Sequence, residues 1–174
     1  MSKKNLINLE NKPPKKPETK AKTFAERLVA ENRKLRYDYF VQEEIEAGIV
    51  LTGTEVKSLR KGRASIVDAY AGDIKGELWV MNVNIPEYEA GNRFNHEPKR
   101  PRKLLLHKKQ VNKLMGQVKI KGLTLAPLKI YFNQRGMVKV LLALAKGKKE
   151  YEKRDATRDR EWKREQSALL KNNR

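Results

Sequence analysis

Glu43, Glu44 and Glu46, with Asp68 and Asp73 further along, are acids that could gather round a divalent cation and support phosphodiester cleavage. Strung along one extended segment, the three glutamates read more simply as the charged edge of a strand. Other catalytic chemistry is poorly supplied. His96 and His107 are the only histidines and cysteine is absent, so neither a zinc centre nor a Cys–His pair can be assembled. The glycines follow neither the phosphate-loop nor the dinucleotide spacing. The expectation is a protein without catalytic residues, metal or cofactor. Phosphate recognition, by contrast, is heavily provided for. Residues 98–149 hold fifteen Lys and Arg and no Asp or Glu, although acids are plentiful on both sides. Fifteen like charges without a counter-charge repel one another until a polyanion neutralises them, and each neutralised phosphate releases counterions.

The whole chain of 174 residues carries a net charge of +19, with 39% apolar and 7% aromatic residues, enough for one modest core. Charge is spread rather than confined to the ends: about +5 on residues 1–23, +9 on 24–145 and +5 on 146–174. Such a balance implies nucleic acid or an acidic surface as partner, with strong salt dependence. The start lacks a signal-peptide apolar core, and the longest apolar run, VLLALA at 140–145, is far too short to span a bilayer. Together with the missing cysteines this points to a cytoplasmic protein outside the membrane, and a monomer is expected.

The elements that must position these charges follow from periodicity and caps. Residues 1–23, rich in Lys and Pro, form an expected disordered basic arm. Phe24, Leu28, Glu31 and Leu35 stand at helical spacing and suggest a short helix. Residues 37–41 begin an extended segment that bends at Gly48 and resumes at 49–51. Thr52 and Glu55 have capping-box spacing, with Gly62 closing a two-turn helix. Residues 66–70 read as a strand, 72–76 as a turn, and 77–85 as a strand with Trp79, Met81, Val83 and Ile85 on one side. Residues 86–101 read as a mobile loop leading into a strand at 103–106. Val111, Leu114, Met115 and Val118 mark an amphipathic helix ended by Gly122. A hairpin of 123–132 and 137–145 completes the set. Six short antiparallel strands with inserted helices suggest a closed barrel resembling the oligonucleotide-binding fold, spanning 24–145.

Residues 146–174 mix both signs and cannot form a core. On a helix, Trp162, Gln166, Leu169 and Leu170 would align at i, i+4, i+7 and i+8, a narrow apolar stripe on a charged rod. With Tyr151, the exposed indole suits stacking on bases or filling a pocket, so the segment is expected to fold on meeting a partner.

In order along the chain, NRKLRYDYFVQEEIEAGIVLTGTEVKSLRKGRASIVDAY, RKLLLHKKQ, KVLLALAKGKKEYEKRD and REWKRE resemble the SmpB family of SsrA-binding proteins, a likeness running from about Asn32 to the end. It implies an oligonucleotide-binding barrel that holds the tRNA-like domain of tmRNA and delivers it to stalled ribosomes for trans-translation, without enzymatic activity. By position, Asn32, Glu46 and Leu105 would contact tmRNA. Arg33 and Tyr39 near the first, Lys57 and Arg60 on the helix, and Arg102, Lys103, Lys108 and Lys109 around the third would line the same RNA-binding face. The resemblance also implies a tail that is disordered when free and helical in the vacant mRNA channel, near 16S rRNA and the decoding centre. That role would fall to Gly147, Lys148, Lys149, Tyr151, Glu152, Lys153, Arg154, Trp162, Leu169 and Leu170. Glu152 stands where the family usually has Asp. Two other readings fit the composition: a ribosomal or rRNA-binding structural protein with an oligonucleotide-binding fold, and a metal-dependent nuclease using the strand carboxylates.

Overall fold

The computed structural model describes residues 26–91 and 95–152, with Arg154, Arg158, Trp162, Glu165 and Gln166. Its elements are β1 (Arg27–Glu31), α1 (Arg33–Asp38), β2 (Tyr39–Ile49), α2 (Gly53–Arg60), β3 (Tyr70–Ile74), β4 (Glu77–Met81), β5 (Arg102–Leu105), α3 (Lys108–Lys121), β6 (Thr124–Phe132) and β7 (Val138–Gly147). All strand pairings are antiparallel, and β2, β7, β6, β3, β4 and β5 bond in a closed ring. Closure removes the exposed edges that a small twisted sheet would otherwise present.

A seventh strand was not expected. The segment containing Leu28 and Glu31 is β1 rather than a helix, and helical geometry starts only at Arg33. The reason lies in β6, which bonds β3 through the single pair Ala71↔Leu125 and leaves the rest of that edge open. β1 fills it, from Arg27↔Phe132 to Glu31↔Lys129. An unpaired ladder outweighs the weak helical spacing.

Asn32 then starts α1. Its Oδ1 accepts the Leu35 N–H at 3.0 Å, and its Nδ2 donates to the carbonyls of Ile66 and Val67 at 3.2 and 3.1 Å. This clamp holds residues 66–67 in non-strand backbone, so the expected strand at 66–70 is replaced by β3 beginning at Tyr70. Leu35 packs with Ala126, Leu128 and Ala143 on the outer face of β6 and β7, while Leu125, Ile130, Val140, Leu142 and Leu144 fill the interior. Both faces are therefore covered there, which accounts for the near-continuous apolar run in β7.

The phase of the β4 region also differs from expectation. Leu78 and Val80 face the core and Trp79 and Met81 do not, whereas Val83 and Ile85 are buried. Asn82, at φ 61°, takes a left-handed conformation that shifts the two-residue alternation by one. β2 ends at Ile49, with Val50 adding one further bond to the Lys103 carbonyl at 2.9 Å. Both inserted helices follow their caps: Thr52 N–H donates to Glu55 at 2.7 Å, and Gly122 closes α3 at φ 58°. β7 runs two residues past the boundary expected after Ala145.

Candidate nucleic-acid interface

Glu55 starts from that cap and reaches inward. It is fully buried and receives Arg102 Nε at 2.7 Å and Arg100 Nε and Nη2 at 2.9 and 2.6 Å. Arg102, also fully buried, donates further to the carbonyls of Val83, Arg100 and Pro98 at 2.7, 3.0 and 3.0 Å. Its place in the expected RNA-binding set is thus corrected: all three guanidinium nitrogens are engaged inside the protein, where they tie Glu55 to the backbone at Val83, Pro98 and Arg100. The same loop is held by His96, whose ring nitrogens lie 2.9 Å from Thr54 Oγ1 and 3.0 Å from the Ile85 carbonyl oxygen. The described part of this segment is thus tied to the barrel at His96, Pro98 and Arg100. Asn32, only 3% exposed, likewise spends its amide on its clamp and shapes the surface around it.

With Arg102 and Leu104 inward, period two turns Lys103 and Leu105 outward. They border a groove of about 900 Å³ lined also by Glu46, Gly48, Glu77, His107, Lys108 and Lys139. Gly48 pairs with Leu105 across the ladder, and a Cβ at Gly48 would stand 3.1 Å from Leu105 Cβ. The missing methyl lets Leu105 lie close while remaining 53% exposed. Its other side borders an apolar groove of about 450 Å³ containing Ile49, Leu51, Val56 and Met137.

Glu46 accepts a short hydrogen bond from the Tyr131 hydroxyl and one from Lys139 Nζ at 2.9 Å. The Tyr131 bond, then that from Lys139, hold its carboxyl below the usual range. Tyr131 is pushed up to about 12, first by burial and then by Glu46. An ionised acceptor therefore sits among Lys103, Lys108 and Lys139. A carboxylate repels phosphate, so such a group suits donors such as ribose hydroxyls or base amino groups, whereas lysines suit phosphates. Lys103 pairs with Glu77 at 2.5 Å, and Lys108 and Lys109 project from the exposed first turn of α3.

The remaining expected contacts lie elsewhere. Lys57 and Arg60 are exposed on α2, where Lys57 stands 5.5 Å from the Tyr88 ring centre. Arg33 is exposed and pairs with Glu31 at 3.2 Å. Tyr39 borders a third groove of about 360 Å³ with Asn32, Lys34 and Tyr70. Lys139 and Gly48 belong to the main groove but were missed by sequence reasoning. The outward phase of β7 opposite β2 was the available signal for Lys139, and the lone glycine within a strand for Gly48.

Nine residue steps along β2, about 30 Å of strand, separate Gly48 from Tyr39, which pairs with Gly147 where β7 ends. From there Lys148 and Lys149 lead to Tyr151, Glu152, Arg154 and Trp162, all helical, with Tyr151 and Trp162 exposed. Lys153, Leu169 and Leu170, like the arm at 1–23, lie outside the described residues. The strand acids do not converge on a cation: Glu43 pairs with Lys113 at 2.8 Å, Glu44 with Arg36 at 2.7 Å and Glu46 with Lys139. Among the described residues no three His, Asp or Glu are grouped to hold a metal, and no helix is long and apolar enough to cross a membrane.

Comparison with known proteins gives a consistent result. The family model described as SmpB protein matches residues 29–172. An SsrA-binding protein of Nitrobacter winogradskyi is 59% identical over 145 residues, covering 83% of this chain and 92% of the relative. One from Bradyrhizobium sp. strain BTAi1 is 60% identical over 144 residues, with the same coverage. A chain solved in work described as "tmRNA-SmpB: a journey to the center of the bacterial ribosome" is 55% identical, with a TM-score of 0.59 over 69% of this chain and 84% of that one.

Proposed function

The chain belongs to the SmpB family, and from that premise we propose that it is an SsrA-binding protein that binds tmRNA and works with it on the ribosome in trans-translation. It acts as a binding protein rather than a catalyst, in the cytoplasm. The tRNA-like part of tmRNA lies against the groove of Glu46, Lys103, Leu105, Lys108 and Lys139, and the segment beyond Gly147 acts on the ribosome.

The observation that carries this reading is the separation of two surfaces along one strand. β2 presents Glu46 and Gly48 at the groove and Tyr39 at the root of the tail, seven and nine residues away, roughly 23–30 Å along the strand. RNA in the groove and a ribosomal partner at the tail can therefore be engaged at once. Within the groove the parts divide by chemistry. Lysines supply the salt-dependent phosphate term, Leu105 offers apolar contact, and the Glu46 carboxylate favours donors that phosphate does not present.

A competition gel shift at two salt concentrations, tmRNA against a tRNA of equal length, tests the reading. Preference for tmRNA that persists at the higher salt supports it. Equal affinities that fall together with salt would leave only charge attraction and refute it.

A further inference from the structure

The ladders set four residues in one row across the sheet: Leu28 stands opposite Tyr131, Tyr131 opposite Lys139, and Lys139 opposite Gly48. Paired residues of an antiparallel ladder project to the same face, here the outer one that carries Glu46 two positions before Gly48. Gly48 adds no side chain to the row, and the two long side chains beside it turn to Glu46. Lys139 is its diagonal neighbour on β7. Tyr131 lies one strand further, about 10 Å from β2 at the usual strand spacing. The length of the phenol carries its hydroxyl across to the Glu46 carboxylate.

The two donors divide that carboxylate between them. Tyr131 donates to Oε2, and Lys139 Nζ lies 2.9 Å from Oε1. An ionised carboxyl offers about four lone-pair sites, so one on each oxygen is used and one on each is left. The Glu46 side chain is 48% exposed and borders the main groove. Pairs this exposed add little to stability, so the arrangement is not explained by what it does for the barrel. With the phenol pushed up to about 12 and the carboxyl held below its ordinary value, the proton stays on Tyr131 and both oxygens stay acceptors.

We propose that Tyr131 is a positioning residue for RNA recognition: its hydroxyl and the Lys139 ammonium clamp Glu46 from both sides, so that the two remaining acceptor sites meet RNA donors in a fixed arrangement. An unclamped glutamate would have to be ordered at each encounter, at a cost in rotamer freedom. Tyr131 orders it beforehand, without touching RNA itself. The proposal rests on the reading that tmRNA occupies the Glu46 groove.

The test is a double-mutant cycle of Tyr131→Phe and Glu46→Ala in the full-length protein, read by gel shift with tmRNA. Thermal midpoints and the carboxyl-carbon titration of Glu46 in the free protein are measured alongside. Phenylalanine keeps the ring and removes only the hydroxyl, so the midpoint should stay within a few degrees of the parent. Tyr131→Phe should weaken tmRNA binding roughly two- to tenfold, the effect of one more side chain to be ordered on binding. It should also move the Glu46 titration upward, because a hydrogen bond to the charged form is lost. In the Glu46→Ala background the same substitution should change affinity by less than about twofold, since the group it positioned is gone. Equal weakening in both backgrounds would mean that the hydroxyl touches RNA or shapes the sheet, and overturns the proposal. Tighter binding by Tyr131→Phe would mean that the phenol competes with RNA for the carboxylate, and overturns it too, as does an unmoved Glu46 titration. Glu46→Ala with tmRNA affinity intact would refute the reading of the groove and the positioning role with it, while the titration still reports whether the clamp exists.

Discussion

Replacing Arg102 by methionine should lower stability far more than it lowers RNA affinity. The guanidinium makes four hydrogen bonds to buried or half-buried acceptors: Glu55 and the carbonyls of Val83, Arg100 and Pro98. Methionine fills much of the volume and satisfies none of them. Glu55 keeps Arg100 and the Thr52 N–H, and the Pro98 carbonyl keeps the Ile85 N–H at 3.1 Å, so the loss is partial. Breaking a buried pair from one side costs about 3–5 kcal/mol, and these surviving bonds place this case near 3. Against a typical total of about 5–15 kcal/mol, that is a large shift in the urea midpoint. Urea unfolding gives the stability, and gel shifts with tmRNA over a salt series, run at a temperature where the variant is folded, give the affinity. The account expects a lowered midpoint, near-parental affinity and an unchanged salt slope. An unchanged midpoint with weakened binding and a slope shallower by about 0.9 would mean that Arg102 contacts a phosphate, refuting the assignment.

Gly48→Ala puts a methyl 3.1 Å from Leu105 Cβ, and should weaken tmRNA binding several-fold by displacing Leu105 while the thermal midpoint moves by only a few degrees. Lys108 and Lys109 replaced together by alanine should make the salt dependence of tmRNA binding shallower by up to about 2 in log–log slope, read by the same gel shifts. Burial raises the Glu55 carboxyl, but the hydrogen bonds from Arg100 and Thr52 and the charge of Arg102 outweigh it and leave it below its ordinary 4.5. A depressed carboxyl contributes stability above the unfolded value and loses it as pH falls through the folded one. Stability measured by urea unfolding should therefore drop as pH falls below about 4.5, and less steeply in Glu55→Gln.

Elements announced by local chemistry were legible in the chain. Thr52 and Glu55 mark the start of α2, the 111–118 spacing and Gly122 mark α3, and the two apolar runs around the 133–136 turn mark the last hairpin. What escaped depends on partners distant in sequence. β1 forms because β6 has a vacant edge, and residues 66–67 are held out of a strand by Asn32, 34 positions earlier. Asn82 flips the phase through a backbone state that side-chain type only hints at. Arg102 is different, because period two in RKLL already ties it to Leu104. Once Leu105 faces outward, Arg102 must point inward, and the buried carboxylate that makes this tolerable lies 47 positions away. In the site, Glu46 and Leu105 could be singled out by resemblance, but their shared groove with Lys139 required the closed ring.

Truncation after Lys149 tests the division of labour between groove and tail most directly, since it preserves β7 and the bond from the Lys148 N–H to the Asp38 carbonyl. The account predicts tmRNA affinity within about twofold of the full chain and no peptide tagging on stalled ribosomes, where about 1.4 kcal/mol would be a tenfold change. Parallel loss of affinity and tagging, or retained tagging, would contradict it.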